Sequence, residues 1–230
     1  MQFHEFDSRD DLAQALAEKI GQILSSAVEA NGKAVLAVSG GSTPERLFKV
    51  LSGSDLPWEN ITVTLVDERF VEPANPRSNM GFVARLLLQD KAAHAKFLPL
   101  HDGSAETTGQ AIKAAEDEIA ALGKIDVCVL GMGTDGHTAS FFPGGSRLLE
   151  AIDPETRHLV LEMTAPDAGE ARLTLTLPFI MSSGSVFLHI EGDAKLEVLE
   201  KAQRKGPAEE LPVRSVLNSV GKNLEVYWAA

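Results

Sequence analysis

Residues 34–51 have the sequence AVLAVSGGSTPERLFKVL and establish the fold class of the chain. The apolar run 34–38 is too short for a helix and is followed by two glycines, which is typical of a buried parallel strand. Thr43 is a good helix N-cap, and Pro44 fits the first helical position. We therefore predict a strand, a tight glycine turn and a helix over residues 44–51, which together form the building unit of a parallel α/β sheet.

The same pattern recurs along the whole chain. Further apolar runs predict strands at residues 61–66, 125–130, 173–177 and 186–190. Helical periodicity begins after Asp7 and Ser8, which are candidate caps, and recurs at residues 80–88, 107–122 and 194–202. Threonines alternate within residues 61–66 and 173–177, which predicts positions nearer the edge of the sheet. The pattern predicts one domain over residues 1–230, with an open, doubly wound, mostly parallel sheet and helices on both faces, as in Rossmann-like folds.

The charge balance excludes several classes of protein. The 230 residues contain 21 Lys and Arg and 33 Asp and Glu, so the formal net charge is −12. Binding to nucleic acid or to an anionic membrane surface requires an excess of cations, so we expect neither partner. The N-terminus lacks the basic and apolar regions of a signal peptide, and no apolar run could span a membrane. We expect a cytoplasmic protein, and a monomer because no heptad seam is evident.

The single cysteine, Cys128, excludes an internal disulfide framework and a cysteine-based zinc cluster. It lies within the apolar run 125–130, so we predict a small buried hydrophobic residue. Asp135 and His137 could supply two metal ligands, but the sequence offers no third ligand at a plausible spacing. We therefore expect no metal site.

Polar residues and glycines follow the predicted strands, where a doubly wound sheet binds its ligands. The segment SGGSTP at 39–44 joins a strand end to a helix start. Gly40 and Gly41 allow close approach of the backbone, and free amides there and at Ser42 and Thr43 would favour an anion such as phosphate. An ordinary turn between strand and helix explains the same residues equally well. The segment is not a nucleotide P-loop, because the spacing and the lysine of that motif are absent.

Asp135-Gly136-His137 places a carboxylate and an imidazole in a glycine-rich turn at the end of another strand. Histidine side chains titrate near neutral pH, so His137 suits general acid–base catalysis. A surface turn, in which Asp135 and Gly136 satisfy the backbone, is the alternative. The glycines at 131 and 133 and the strand-end position favour function.

Four more charged residues lie near strand ends. Asp67 could orient a base or bind a sugar hydroxyl, and Arg69 could bind phosphate. A solvated charge cluster is the alternative interpretation of both. Arg172 and Lys195 are single cations, for which a surface position is the usual outcome.

Six blocks of the sequence, taken together, resemble the 6-phosphogluconolactonase family and occur in its order. They are LAVSGGSTPERLFKVL at 36–51, TLVDERFV at 64–71, RSNMGF at 77–82, DVCVLGMGTDGHTASFFPG at 126–144, RLTLTLP at 172–178 and GDAKLEVL at 192–199. The block GMGTDGHTASFFPG is the most specific. The resemblance implies the fold that this family shares with glucosamine-6-phosphate isomerase/deaminase.

The resemblance also implies an activity, the hydrolysis of 6-phospho-D-glucono-1,5-lactone to 6-phosphogluconate. His137 would then activate water, and either Asp135 or Asp67 would orient the imidazole or the sugar. The phosphate would be held by the residues Gly40, Gly41, Ser42, Thr43, Arg69, Arg172 and Lys195. Because a lactone is an activated ester, we expect no metal, no cofactor and no covalent nucleophile, and the only partner is the phosphosugar lactone.

Two alternatives to the lactonase remain open. The related isomerase/deaminase carries a Glu five residues after the His of its similar D-G-H turn, whereas this sequence has Phe142 there. Without that carboxylate a proton relay needed for ring opening and isomerisation is missing, which favours the lactonase. A non-catalytic sugar-phosphate sensor is the second alternative, but such a protein usually carries a further binding module, and no segment here is long enough for one.

Overall fold

The computed structural model describes residues 1–166, 168–219 and 223–230. Its strands are β1 (Gln2–Phe6), β2 (Ala34–Val38), β3 (Ile61–Leu65), β4 (Asp67–Arg69), β5 (Lys96–Leu98), β6 (Val127–Leu130), β7 (Val160–Met163), β8 (Arg172–Leu175), β9 (Ser185–Glu191) and β10 (Leu224–Ala229). Its α-helices are α1 (Arg9–Asn31), α2 (Glu45–Gly53), α3 (Asn79–Leu86), α4 (Thr108–Leu122), α5 (Leu148–Ala151), α6 (Leu177–Met181), α7 (Asp193–Ala202) and α8 (Val213–Ser219). Short 3₁₀ helices cover Trp58–Asn60 and Asp90–His94.

The main sheet is parallel throughout the described residues, with seven strands in the order β1-β10-β9-β6-β2-β3-β5. The predicted doubly wound, mostly parallel sheet is therefore confirmed. From β2 the strand order runs through β3 to β5, and from β6 it runs the other way through β9 and β10 to β1. The order thus reverses between β2 and β6, and this switch point is where ligands bind in such sheets.

A separate antiparallel sheet in the order β4-β8-β7 lies outside the main sheet. It corrects the prediction for residues 173–177, which are not a strand of the parallel sheet. The strand β8 ends at Leu175, and Leu177 begins α6 with Pro178 in its first turn. The alternating Thr174 and Thr176 are fully buried and do not mark a sheet edge. The strand β3 is not an edge strand either, because it pairs with β2 on one side and with β5 on the other.

The two ends of the chain form strands that the sequence interpretation left out. Along β1 polar and apolar residues mix, and most of them are exposed, so no buried run marks this strand. It forms only because it pairs with β10, with Gln2 in register with Glu225.

Two local predictions meet opposite outcomes at helix starts. Ser8 is the N-cap of α1, and its hydroxyl accepts a hydrogen bond from the Asp11 amide. Thr43, in contrast, does not cap α2, because the helix begins at Glu45 and the cap position falls on Pro44. Among the described residues, no helix is at once long and apolar enough to cross a bilayer.

Candidate active site

A cleft of about 360 Å³ lies at the switch point between β2 and β6. This volume is in the range of small-molecule sites. The structure brings all the predicted site residues to this one cleft, namely Gly40, Gly41, Ser42, Thr43, Asp67, Arg69, Asp135, His137, Arg172 and Lys195. They converge because parallel strands place their carboxyl ends, and the loops that follow, along the same edge of the sheet.

The glycine loop, residues 39–43, forms one side of the cleft between β2 and α2. The backbone amides of Gly40, Gly41, Ser42 and Thr43 donate no hydrogen bond within the described part of the chain. Four free N–H groups next to a helix start can therefore receive an anion. These amides have no partner among the described residues, and Thr43 does not cap the helix.

Lys195 adds a positive charge to the glycine loop. It lies in the first turn of α7, and its Nζ donates a hydrogen bond of 2.8 Å to the Thr43 hydroxyl. This bond joins the glycine loop to α7, between residues that are 152 positions apart in the chain. Burial lowers the pKa of Lys195, and the nearby Glu191 carboxylate opposes that shift. An anion at the loop would offset the cost of burying this ammonium group.

Arg69 and Arg172 come from the small sheet, where they are register partners on β4 and β8. Arg172 is buried, donates to the Ala168 carbonyl over 2.7 Å, and lies with its Cζ 5.4 Å from the Phe142 ring centroid. Burial lowers the pKa of Arg172, and the Asp67 carboxylate opposes this. The Nε atoms of both arginines are buried and have no partner in the described part of the chain. Both arginines line the cleft, so their positive charges lie close to any ligand bound there.

His137 and Asp135 form a hydrogen-bonded pair in the cleft. Oδ1 of Asp135 lies 2.6 Å from Nδ1 of His137 and also accepts the His137 backbone amide over 3.1 Å. An ionised carboxylate can only accept, so Nδ1 carries a proton, and in the neutral imidazole Nε2 is then the nitrogen with the free lone pair. Burial alone would raise the pKa of Asp135, but the hydrogen bond and charge of His137 outweigh it and lower that pKa.

Asp67 has a different set of partners. Its Oδ2 accepts a hydrogen bond of 2.6 Å from the Ser140 hydroxyl, and Asn79 Nδ2 lies 3.4 Å from its Oδ1. The sequence left open which carboxylate would meet the imidazole of His137. In the structure Asp135 makes this contact, while Asp67 is a buried acceptor that lines the cleft.

Asn79 and Phe142 also line the cleft, and the sequence interpretation gave neither a site role. The Phe142 ring centroid lies 4.7 Å from the His137 ring centroid and 5.4 Å from Cζ of Arg172. The neighbouring Arg77 forms an ion pair with Glu170, with 2.6 Å between Nε and Oε1. A sequence signal existed for Asn79, because it starts a helix that follows the strand-end segment 67–69. Its contacts depend on tertiary packing alone.

The described residues contain no group of three or more His, Cys, Asp or Glu side chains arranged to hold a metal ion. Cys128 is fully buried in β6, as predicted, and burial raises the pKa of its thiol to about 12. The thiol is therefore protonated and lies apart from the cleft-lining residues.

Comparison with known proteins identifies the family. The family described as "Glucosamine-6-phosphate isomerases/6-phosphogluconolactonase" matches residues 7–228. A 6-phosphogluconolactonase of Rhizobium meliloti is 52% identical, over 98% of this chain and 97% of its own, and one of Mesorhizobium japonicum is 45% identical, over 99% and 94%. The crystal structure of a 6-phosphogluconolactonase from Shewanella baltica superposes with a TM-score of 0.95 at 38% identity, covering 100% of this chain and 98% of that one. The chain therefore belongs to the glucosamine-6-phosphate isomerase/6-phosphogluconolactonase family, as an enzyme of the 6-phosphogluconolactonase type.

Proposed function

We propose that this chain hydrolyses 6-phospho-D-glucono-1,5-lactone to 6-phospho-D-gluconate, with His137 as general base. The observation that carries the proposal is the Asp135–His137 hydrogen bond of 2.6 Å in the cleft that also contains the free amides of the glycine loop. A base and an anion site in one cleft match a substrate that has a hydrolysable carbonyl at one end and a phosphate at the other. Relatives named 6-phosphogluconolactonase, at up to 52% identity over nearly the whole chain, support this substrate.

The chemical step follows from the tautomer of His137. Nε2 accepts a proton from water while the water oxygen attacks the lactone carbonyl carbon. The tetrahedral intermediate then collapses, the bond from the carbonyl carbon to the ring oxygen breaks, and the ring oxygen takes up the proton from Nε2. Asp135 holds the imidazole in this tautomer and stabilises the imidazolium that forms between the two transfers.

Phosphate binding supplies the positioning. The net charge of −12 would repel an anionic substrate, so capture depends on local groups in the cleft. We assign the phosphate to the amides of the glycine loop and to Lys195, with the guanidinium groups of Arg69 and Arg172 as further cations. Holding the substrate at its phosphate converts the attack into a reaction of oriented partners, and such positioning lowers the barrier by several kcal/mol.

The environment of His137 favours hydrolysis over isomerisation. At the position where the isomerase has its Glu, this chain presents the Phe142 ring against His137. A benzene ring cannot carry a proton between sugar carbons, whereas an activated ester needs only water and a base. On this proposal no metal or cofactor takes part, the protein works as a cytoplasmic monomer, and the reaction is the second step of the oxidative pentose phosphate route.

The test is hydrolysis of freshly generated 6-phosphogluconolactone, with spontaneous opening subtracted. The wild type should be active, and His137→Ala should lose about 10²- to 10⁴-fold in kcat. His94→Ala is the matched control, because His94 is exposed and does not line the cleft. Full activity in His137→Ala would refute the assigned base. An inactive wild type that releases ammonia from glucosamine 6-phosphate would refute the lactonase itself.

A further inference from the structure

Both the backbone and the side chain of Asn79 are fixed by hydrogen bonds. It is the first residue of α3, and only 2% of its surface is exposed. The buried Glu68 carboxylate fixes its backbone, because Oε1 accepts the Asn79 amide over 2.7 Å and Oε2 accepts the Met80 amide over 2.6 Å. The start of α3 is thereby tied to β4, the strand that carries Asp67.

The orientation of the Asn79 side chain follows from its neighbours. Nδ2 donates to the Asp67 carbonyl over 2.8 Å and lies 3.4 Å from the Asp67 Oδ1. Both neighbours are acceptors, so reversing the carboxamide would place an oxygen against two oxygens. The amide nitrogen therefore faces Asp67, and Oδ1 faces the opposite side.

On that opposite side Oδ1 lies directly against the glycine loop. A Cβ built on Gly40 would meet Oδ1 at 1.9 Å, far inside any real contact. The φ of Gly40 is not in the left-handed region, so its backbone conformation suits other residues, and the three atoms nearest to the added Cβ all belong to Asn79. Oδ1 is buried and has no hydrogen-bond partner in the described part of the chain, so it acts here through its volume.

We propose that Asn79 is a positioning residue that sets the spacing between the glycine loop and Asp67. Its carboxamide fills that space, with the nitrogen on Asp67 and the oxygen on Gly40. The inference rests on the proposed function, in which the loop holds the phosphate, and it adds that the sugar of the same ligand reaches Asp67. A ligand that spans both groups senses their spacing, whereas inorganic phosphate senses the loop alone.

The first experiment compares the wild type with Asn79→Ala and Asn79→Asp. We expect kcat/KM to fall about 10- to 100-fold in both, as for a small misplacement of a bound substrate. Inhibition by 6-phosphogluconate should weaken, while inhibition by inorganic phosphate should stay at the wild-type value. The aspartate keeps the shape but turns an oxygen towards Asp67, so wild-type activity in Asn79→Asp would overturn the orientation. An equal loss of affinity for both inhibitors would overturn the positioning role.

The second experiment approaches the same contact from the loop. Gly40→Ala should impair kcat/KM more than Gly109→Ala, because a Cβ at Gly109 meets nothing within 4 Å and Gly109 does not line the cleft. In the double variant Gly40→Ala/Asn79→Ala the clash is gone, so its kcat/KM should exceed that of Gly40→Ala. Simple additivity of the two losses would overturn the inference.

These outcomes separate the inference from the proposed function. If the wild type does not hydrolyse the lactone, the proposed function fails, and calorimetric binding of phosphate and 6-phosphogluconate still tests the spacing. If the wild type hydrolyses it and the Asn79 variants match the wild type, the inference alone fails. Thermal unfolding of each variant checks the fold. Gly40→Ala carries the test if Asn79→Ala does not fold, because it removes no hydrogen bond.

Discussion

Adding one methyl group at Gly133 should disable the enzyme without removing any catalytic side chain. A Cβ built there would lie 2.3 Å from Nδ1 of His137 and 2.5 Å from Oδ1 of Asp135. Ordinary contact begins at 3.4 Å, so the imidazole would have to move by about 1 Å (3.4 − 2.3 = 1.1 Å). Because Asp135 is displaced as well, the hydrogen bond that fixes the tautomer would be broken.

The size of the effect follows from this displacement. A misplacement of about 1 Å costs about 10²-fold in rate, which corresponds to ~2.7 kcal/mol of transition-state stabilisation. The free energy of unfolding should change far less. The φ of Gly133 is not left-handed, so alanine fits its backbone. The lower entropy of the unfolded chain then contributes about 0.4–1 kcal/mol in favour of folding, which offsets part of the strain.

Gly109→Ala provides the matched control, since it adds a methyl group outside the cleft with nothing within 4 Å. We would measure kcat, KM and thermal unfolding for the wild type and both variants. Gly133→Ala should lose most of its kcat with a nearly unchanged melting temperature, while Gly109→Ala should lose much less. If both variants lost the same activity, the close contact of Gly133 with His137 would not be the cause, and the reasoning would be refuted.

Three further predictions concern individual side chains. Asp135→Asn should lower kcat by about 10²- to 10⁴-fold, because an amide no longer fixes the His137 tautomer, and kinetics near wild type would contradict this. Burial lowers the pKa of Lys195, and only the protonated ammonium group attracts phosphate. As the pH rises, calorimetry should therefore find that 6-phosphogluconate binding weakens before the pH reaches the ordinary lysine pKa of about 10.4. Lys195→Arg should keep that binding to higher pH. Cys128, with its thiol pKa raised to about 12 by burial, should resist iodoacetamide at mildly alkaline pH until the protein unfolds, as read by mass spectrometry.

The sequence predicts those strands and helices whose own residues carry a recognisable apolar pattern. The strands β2 and β6 are continuous apolar runs, and β9 is largely apolar at its centre, as expected of strands covered on both faces, and such runs are visible in the sequence. The strands β1 and β10 lie at one side of the sheet and pair with each other across the whole chain. Their pairing is a long-range event that leaves little local pattern. The prediction for residues 173–177 is wrong because a buried strand has the same apolar sequence pattern in the small antiparallel sheet as in the main parallel sheet.

The residues of the site were predictable because a doubly wound sheet sends every strand end to one edge, so each polar strand end was a candidate. Their contacts were not predictable, because a hydrogen bond depends on distances of tenths of an ångström between segments far apart in sequence. Tertiary packing determines that the Thr43 hydroxyl accepts a hydrogen bond from Lys195 and does not cap α2. It also determines that the Asp67 carboxylate contacts Ser140 and Asn79. The order of residues along the chain determined what chemistry was available at the cleft. Only the tertiary structure decided that Asp135 is the carboxylate that meets His137.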